Sequence, residues 1–277
     1  MRDEATIADV TRRAHDYLAV ADRLLPGWIT DFYVVGSASL GEYVPNRSDV
    51  DFVAVVADTA SRAQLARLRV VHVAAGLAAA ARSRATGGTP NGVFVSSRDV
   101  SLPVTEIRPV ASHTGLTFEV GTGFDVNPVI WKQLSTRAIR VRGREPADLN
   151  LNPQPELLGA WNLANLQSYW LPLGHKMASG RTKRTVSGFR YGYGWAVSWA
   201  TLGPARLHCT IATGDVIGKR SAGEYALDTF DSQWHPVIQL GLNWWRDDAP
   251  TGRADDARRA GQFALHVVED AQRLGTI

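Results

Sequence analysis

Two aspartates inside an apolar run restrict this chain more than any other feature. In "VVGSASLGEYVPNRSDVDFVAVV", Val34 to Val56, Asp49 and Asp51 stand at the mouth of a valine-rich segment that reads as a strand. Alternate residues of a strand share a face, so Asp49 and Asp51 project one way while Val50 and Phe52 point into the core. Two carboxylates held together repel, and one takes up a proton unless a cation sits between them. A hard divalent ion with oxygen ligands, Mg²⁺ before others, removes the conflict. An Asp-Val-Asp edge facing solvent needs no ion, and the pair alone does not decide between the two.

The residues before the pair tip the balance. Gly36 and Ser37 end the preceding apolar run, with Ser37 twelve positions before Asp49. Glycine there lets backbone approach a ligand, and the hydroxyl with nearby amides suits a phosphate. Gly41 loosens the link, and Ser48 adds a hydroxyl directly before Asp49. A Gly-Ser turn at a strand end, a short helical link and Asp-x-Asp on the neighbouring strand make a phosphate cradle facing a metal site. Phosphoryl and nucleotidyl transfer need that arrangement.

The bulk properties exclude several classes. No apolar run in the 277 residues reaches the ~18 that a membrane span needs, and "MRDEATIADV" is polar, which points to the cytoplasm and away from a membrane. The single cysteine, Cys209, can form neither an internal disulfide nor a CxxC pair. The net charge of +3, with no long basic stripe, fits a chain that handles an anion and falls short of a nucleic-acid coat. Its seven histidines show no HExxH or closely paired spacing, so zinc is not expected. A monomer is expected.

Along the chain, residues 7–24 carry Ile7, Val10, Ala14, Leu18 and Ala21 at helical spacing, closed by Pro26 and Gly27. "DFYVVGS" and "DVDFVAVVA" read as strands, a helix capped by Ser61 follows, "ATGGTPNG" breaks it, and "GVFVSS" reads as a third strand with "LTFEVG" a possible fourth. Polar, proline-bearing "REPADLNLNPQPE" suits a domain junction near residue 150. "ELLGAWNLANLQSYW" and "RRAGQFALHVVEDAQRLG" beyond it read as helices, the last stopping at Gly275. The expected fold is α+β: a small mixed-sheet domain over 1–150 and an all-helical domain over 151–277.

The stretch "GSASLGEYVPNRSDVD" resembles the nucleotidyltransferase signature of the DNA polymerase beta superfamily. "ARLHCTIATGDVIGKRSAGEYAL" followed by "QWHPVI" is similar to the helical C-terminal domain of the adenylyltransferases that act on streptomycin and spectinomycin, and "FDVNPVIWKQLSTRAIRVRG" is similar to their joining segment. The resemblance implies that Gly36, Ser37 and Ser48 bind the triphosphate and that Asp49 and Asp51 hold metal. It places Arg206 and Lys219 on the nucleotide phosphates, and Trp245 where the family has an aromatic near the nucleotide. Cations from a second domain also suit a triphosphate on physical grounds.

Two departures stand out. The resemblance implies a third carboxylate, the general base, at the start of the third strand; that place holds Gly92, with Asn91 just before it. Neither accepts a proton, so three readings stay open: another carboxylate enters, Glu119 first and Glu106 second; the hydroxyl ionises on the metal; or nucleotide is bound and little is transferred. From Leu157 to Gly214 there is also no Asp or Glu, whereas Lys176, Arg181, Lys183, Arg184, Arg190 and Arg206 lie within it. Such a face disfavours polycationic aminoglycosides on Coulombic grounds. "GHKMASGRTKRTVSGFRYGYGW" reads as a mobile basic loop that could close over phosphate or an anionic acceptor.

The expectation is a Mg²⁺-dependent adenylyltransferase moving AMP from ATP to a hydroxyl of a small molecule. A transferase acting on another small molecule or a protein hydroxyl is the alternative within the class. A nucleotide-binding or sensing protein that lost its base is the alternative outside it.

Overall fold

The computed structural model describes residues 4–45, 48–82, 90–115, 117–187, 190–246 and 252–274. The chain divides into two compact units, Met1–Pro155 and Glu156–Ile277. Most of the break read at "ATGGTPNG" and the stop read at Gly275 lie outside the described residues.

The first unit opens with α1 (Glu4–Leu24), whose buried Val10, Ala14, Leu18 and Ala21 are the stripe read from spacing. Then come β1 (Ile29–Val34), the single turn α2 (Gly36–Ser39), β2 (Val50–Val56), α3 (Arg62–Arg82) and β3 (Pro90–Ser96). The α3 start is a capping box: Ser61 Oγ accepts from Gln64 N–H and Gln64 Oε1 accepts from Ser61 N–H. Strands β4 (Ala111–Thr114) and β5 (Thr117–Val120), helix α4 (Pro128–Arg137) and strand β6 (Ile139–Arg142) complete the unit. The sheet has six strands in the order β5-β4-β3-β2-β1-β6, with β2 and β3 parallel and every other neighbour antiparallel.

Strand alternation gives the sheet two buried faces. Phe32, Phe52, Phe94 and Ala111 pack with α1 and with Leu68 and Val71 of α3. Tyr33, Val53, Val55, Val93 and Val95 pack with Trp131 and Leu134 of α4. Asn127 caps α4, its Oδ1 accepting from the amides of Val129 and Ile130, with Pro128 at the first position. Asp51 and Asn91 sit on the α4 face, at the end of it where β2 and β3 begin.

The second unit contains α5 (Leu158–Asn165), α6 (Leu171–Ala178), α7 (Gly194–Thr213), α8 (Lys219–Thr229), α9 (His235–Arg246) and α10 (Ala254–Leu274). A π-type turn over Leu166–Trp170 joins α5 to α6; Pro172, which has no N–H, follows it and removes a donor from the regular ladder. α7 is buried on most sides. Its His208 binds Tyr225 Oη through Nδ1 at 2.8 Å and Asp270 Oδ2 through Nε2 at 2.9 Å, tying α7 to α8 and α10. Within the segment read as a mobile basic loop, β7 (Thr185–Ser187) pairs antiparallel with β8 (Arg190–Gly192). Among the described residues, no helix is long and apolar enough to cross a membrane.

Candidate active site

The turn between β1 and β2 builds the site. Val35 N–H donates to Asp51 C=O at 2.9 Å, so the residue before Gly36 is stitched to the second aspartate's backbone. Gly36 has φ +65°, and a Cβ there would stand 2.8 Å from Asp51 Cγ and closer still to Oδ2. The Asp51 carboxylate therefore rests against bare glycine backbone, where no side chain fits. Gln133 of α4 holds the turn from above: its Oε1 accepts from Gly36 N–H at 2.9 Å and lies 3.3 Å from Ser39 Oγ. The Gly36 amide is thus spent inside the protein. Ser37 and Asp49 remain half-exposed, as does Asp51, while Val50 and Phe52 are buried, as alternation requires.

Ser48 is placed differently from an open hydroxyl. It is buried, its Oγ accepts from Val44 N–H at 3.0 Å, and its own N–H donates to Val44 C=O at 2.9 Å. It shapes the loop that delivers Asp49. Helix α1 adds groups that sequence reasoning missed. Tyr43 Oη donates to Asp9 Oδ2 at 3.3 Å, and Arg13 Nε holds the same oxygen at 2.9 Å. Burial first, then the Asp9 and Asp49 charges, push the Tyr43 hydroxyl up to about 12, despite the opposing charge of Arg13. Asp49 is therefore within electrostatic reach of this trio.

The second unit offers cations and indoles. Lys219 is the first residue of α8, behind a Gly218 N-cap that makes no side-chain hydrogen bond, with no acid in the first turn. That helix end presents amides and positive charge together. Lys219 Nζ lies 4.1 Å from the Trp245 ring centroid and 5.4 Å from that of Trp199. Trp245 is buried and Arg206 half-buried on α7. Trp195 is 41% exposed and stacks on Trp199 with centroids 5.4 Å apart and planes 10° off parallel. Tyr169 Oη accepts from Trp199 Nε1 at 3.0 Å.

Residues 18–82 match the nucleotidyltransferase domain family, a span that holds Gly36, Ser37, Ser48, Asp49 and Asp51. Residues 183–270 match the family described as aminoglycoside adenylyltransferase, C-terminal domain, a span that holds Arg206, Lys219 and Trp245. The chain is a two-domain nucleotidyltransferase of the aminoglycoside adenylyltransferase family. Its fold is similar to that of the spectinomycin adenyltransferase AAD(9) from Enterococcus faecialis, solved with ATP and spectinomycin. The TM-score is 0.63 at 11% identity, covering 92% of this chain and 99% of the other. No curated protein matches in sequence.

Within this adenylyltransferase-type fold, the position beside Asp51 on β3 is Asn91, not Gly92. Asp51 pairs with Asn91 and Phe52 with Gly92. A Cβ at Gly92 would lie 2.7 Å from two atoms of the Phe52 ring, so a carboxylate there would enter the aromatic core. Asn91 is buried, and its Oδ1 accepts from Gly115 N–H at 2.8 Å. Glu119 is exposed on β5, beside Thr122 at 3.4 Å. It shares the face of Asp51 but lies three strands away, about 14 Å at the usual strand spacing. Glu106 is exposed in the β3–β4 connection. The sheet order thus separates Glu119 from the pair.

Among the described residues, no three His, Cys, Asp or Glu side chains gather to hold a metal. The donor set of Asp49 and Asp51 still suits Mg²⁺, which takes one or two carboxylates and completes its shell with phosphate oxygens and water. The bare backbone at Gly36 is what lets the Asp51 carboxylate sit at this turn.

Proposed function

We propose that the protein is a Mg²⁺-dependent adenylyltransferase that moves AMP from ATP to a hydroxyl of a small-molecule acceptor. The observation that carries the reading is the seating of the Asp51 carboxylate against Gly36, one residue from Ser37 and two from Asp49. Asp49 and Asp51 would hold the metal, which when bound offsets negative charge on the phosphates. Ser37, next to Gly36 in the chain, would donate to a phosphate oxygen. Arg206, Lys219 and the α8 N-terminus supply the cationic groups that the resemblance assigns to the nucleotide phosphates.

The acceptor is the finer question. The similar structure was solved with spectinomycin, which makes that compound the first to test. The acid-free stretch from Leu157 to Gly214 favours acceptors of low positive charge over polycationic aminoglycosides. The exposed Trp195 face offers a surface for a ring. Asn91 in place of a carboxylate supports one second reading, a nucleotide-binding protein that transfers slowly or not at all.

Calorimetry with a non-hydrolysable ATP analogue and Mg²⁺, followed by pyrophosphate release with spectinomycin and streptomycin, separates the two. Binding with release supports the transferase, and binding without release supports the sensor. No binding at all sinks both, and an Asp49→Asn variant with undiminished turnover would overturn the metal assignment.

A further inference from the structure

Transfer to a hydroxyl needs somewhere for its proton to go, and Asn91 cannot take it. Resting on the transferase reading above, we propose that Asp125 is the general base of this chain, in place of a carboxylate on β3. The loop from Gly121 to Asn127 turns back from the sheet edge over the face that carries Asp51 and Asn91. At Gly123 a Cβ would lie 2.9 Å from Val93 Cγ2 and 3.2 Å from Ser112 Cβ, so this loop lies on β3 and β4. Those strands are one and two removed from β2, about 5 and 10 Å across the sheet. The chain continues into α4, whose Gln133 reaches the Gly36 amide. The segment therefore runs from above β3 and β4 to the turn that seats Asp51, and Asp125 lies near its start.

The loop is held in shape around this residue. Asn127 donates its amide to Phe124 C=O at 2.7 Å while capping α4 with its Oδ1. Phe124 is 70% exposed, and Val126 packs against the valine face. Asp125 between them keeps partial solvent access. Among the described residues it has neither a hydrogen bond nor an ion pair. The contrast is with Asp9, Asp22, Asp31 and Asp58, each held by an arginine. Burial raises the Asp125 carboxyl above its ordinary range. A carboxyl that protein desolvates and that no cation holds is suited to accept a proton.

The step balances as follows. The acceptor O–H proton passes to an Asp125 carboxylate oxygen, and the hydroxyl oxygen forms a bond to the α-phosphorus of ATP. The bond from that phosphorus to the bridging oxygen breaks, its electron pair leaving on pyrophosphate. Asp125 then returns the proton to water.

The test uses the full chain with Mg²⁺ and a methylene analogue of ATP for binding, and ATP with spectinomycin, or with water alone as acceptor, for pyrophosphate release. Asp125→Asn is expected to bind the analogue as the wild type does and to lose about 10²–10⁴ in rate. It should also lose the acid limb of the pH–rate profile. Adding Asn91→Asp to that variant should restore part of the rate. In ¹³C-aspartate spectra the Asp125 carboxyl should titrate above the ordinary range and move when the analogue binds. Undiminished turnover of Asp125→Asn, loss of its nucleotide binding, or a carboxyl indifferent to the analogue would each overturn the proposal. A wild-type protein that fails to bind the analogue instead removes the transferase reading beneath it, and the binding measurement shows this before any variant is made.

Discussion

The Asp51 carboxylate occupies the space where a side chain on Gly36 would begin, with Asp51 Cγ 2.8 Å from the position a Cβ would take. Gly36 is also at φ +65°. Gly36→Ala therefore meets two penalties, a left-handed backbone costing about 1–2 kcal/mol for a non-glycine residue and a clash with the Asp51 carboxylate. The expected outcome is a lower Tm together with at least a tenfold loss of Mg²⁺-dependent nucleotide binding. Unchanged binding would show that the Asp51 position is not the one that matters.

Asp51→Asn keeps the shape and removes one of the two negative charges. Wild-type protein should gain thermal stability when Mg²⁺ and the ATP analogue are added together, because a ligand bound only by the folded state stabilises it by mass action. Asp51→Asn should fold, lose that gain and lose turnover by more than about 10²-fold. A full ligand-induced Tm shift in the variant would remove Asp51 from the metal.

The local features of this site were legible in sequence, and its cross-strand neighbours were not. Strand alternation alone sets Asp51 against buried Val50 and Phe52, and a Gly-Ser turn needs only adjacent residues. Asn91 becomes a neighbour of Asp51 only through the register of a parallel pair forty residues apart, and a one-residue shift in that register reads Gly92 instead. Gln133 reaches Gly36 across 97 positions, and one glutamine within a short helix carries no pattern. Strand β4, "ASHT", has one β-branched residue and no large apolar or aromatic one to announce a strand, yet its Ser112 and His113 are buried. The hairpin at β7 and β8 was hidden by the glycines and bases around it.

His113 makes the first unit acid-sensitive. It is 1% exposed, and its Nε2 meets Tyr17 Oη at 3.2 Å. Its ring centroid is 4.2 Å from that of His72. Burial, then the neighbouring His72 charge, lower its pKa to about 3; burial lowers that of His72 as well. The folded state thus binds fewer protons than the unfolded one between pH 6.5 and about 3. Stability is complete above the unfolded value and falls as pH drops through this window, by about 1.4 kcal/mol per pH unit for His113 alone. Urea unfolding at pH 7, 6, 5 and 4 measures the slope, and a flat profile would contradict the burial argument.

Asp31 is 1% exposed on β1 and is gripped by Arg144, whose Nε, Nη2 and backbone N–H donate to its carboxylate at 3.0, 2.8 and 2.8 Å. Removing the cation leaves the carboxylate buried, with only the backbone N–H of residue 144 at 2.8 Å, Thr30 Oγ1 at 2.7 Å and the more distant Tyr33 Oη near it. Arg144→Ala should cost about 3–5 kcal/mol, and Asp31→Asn with Arg144 intact should cost less, because the arginine keeps partial access to water. Equal costs in chemical denaturation would show that the charge pair is not the main term.

Lys219 separates a phosphate contact from a packing role. Its ammonium sits over Trp245 at 4.1 Å, at the start of a helix whose cap makes no side-chain hydrogen bond and whose first turn has no acid. A residue there for packing loses stability when shortened and leaves nucleotide affinity alone. One that meets phosphates loses affinity, and the loss shrinks with salt because ions screen exposed charges within about 10 Å at 0.1 M. Lys219→Met, which keeps most of the apolar stem, should weaken ATP-analogue binding about tenfold at low ionic strength and less at 0.5 M NaCl, with Tm nearly unchanged. A fall in Tm with unchanged affinity would assign the lysine to the Trp199 and Trp245 stack and leave Arg206 to carry the phosphate contact in the second unit.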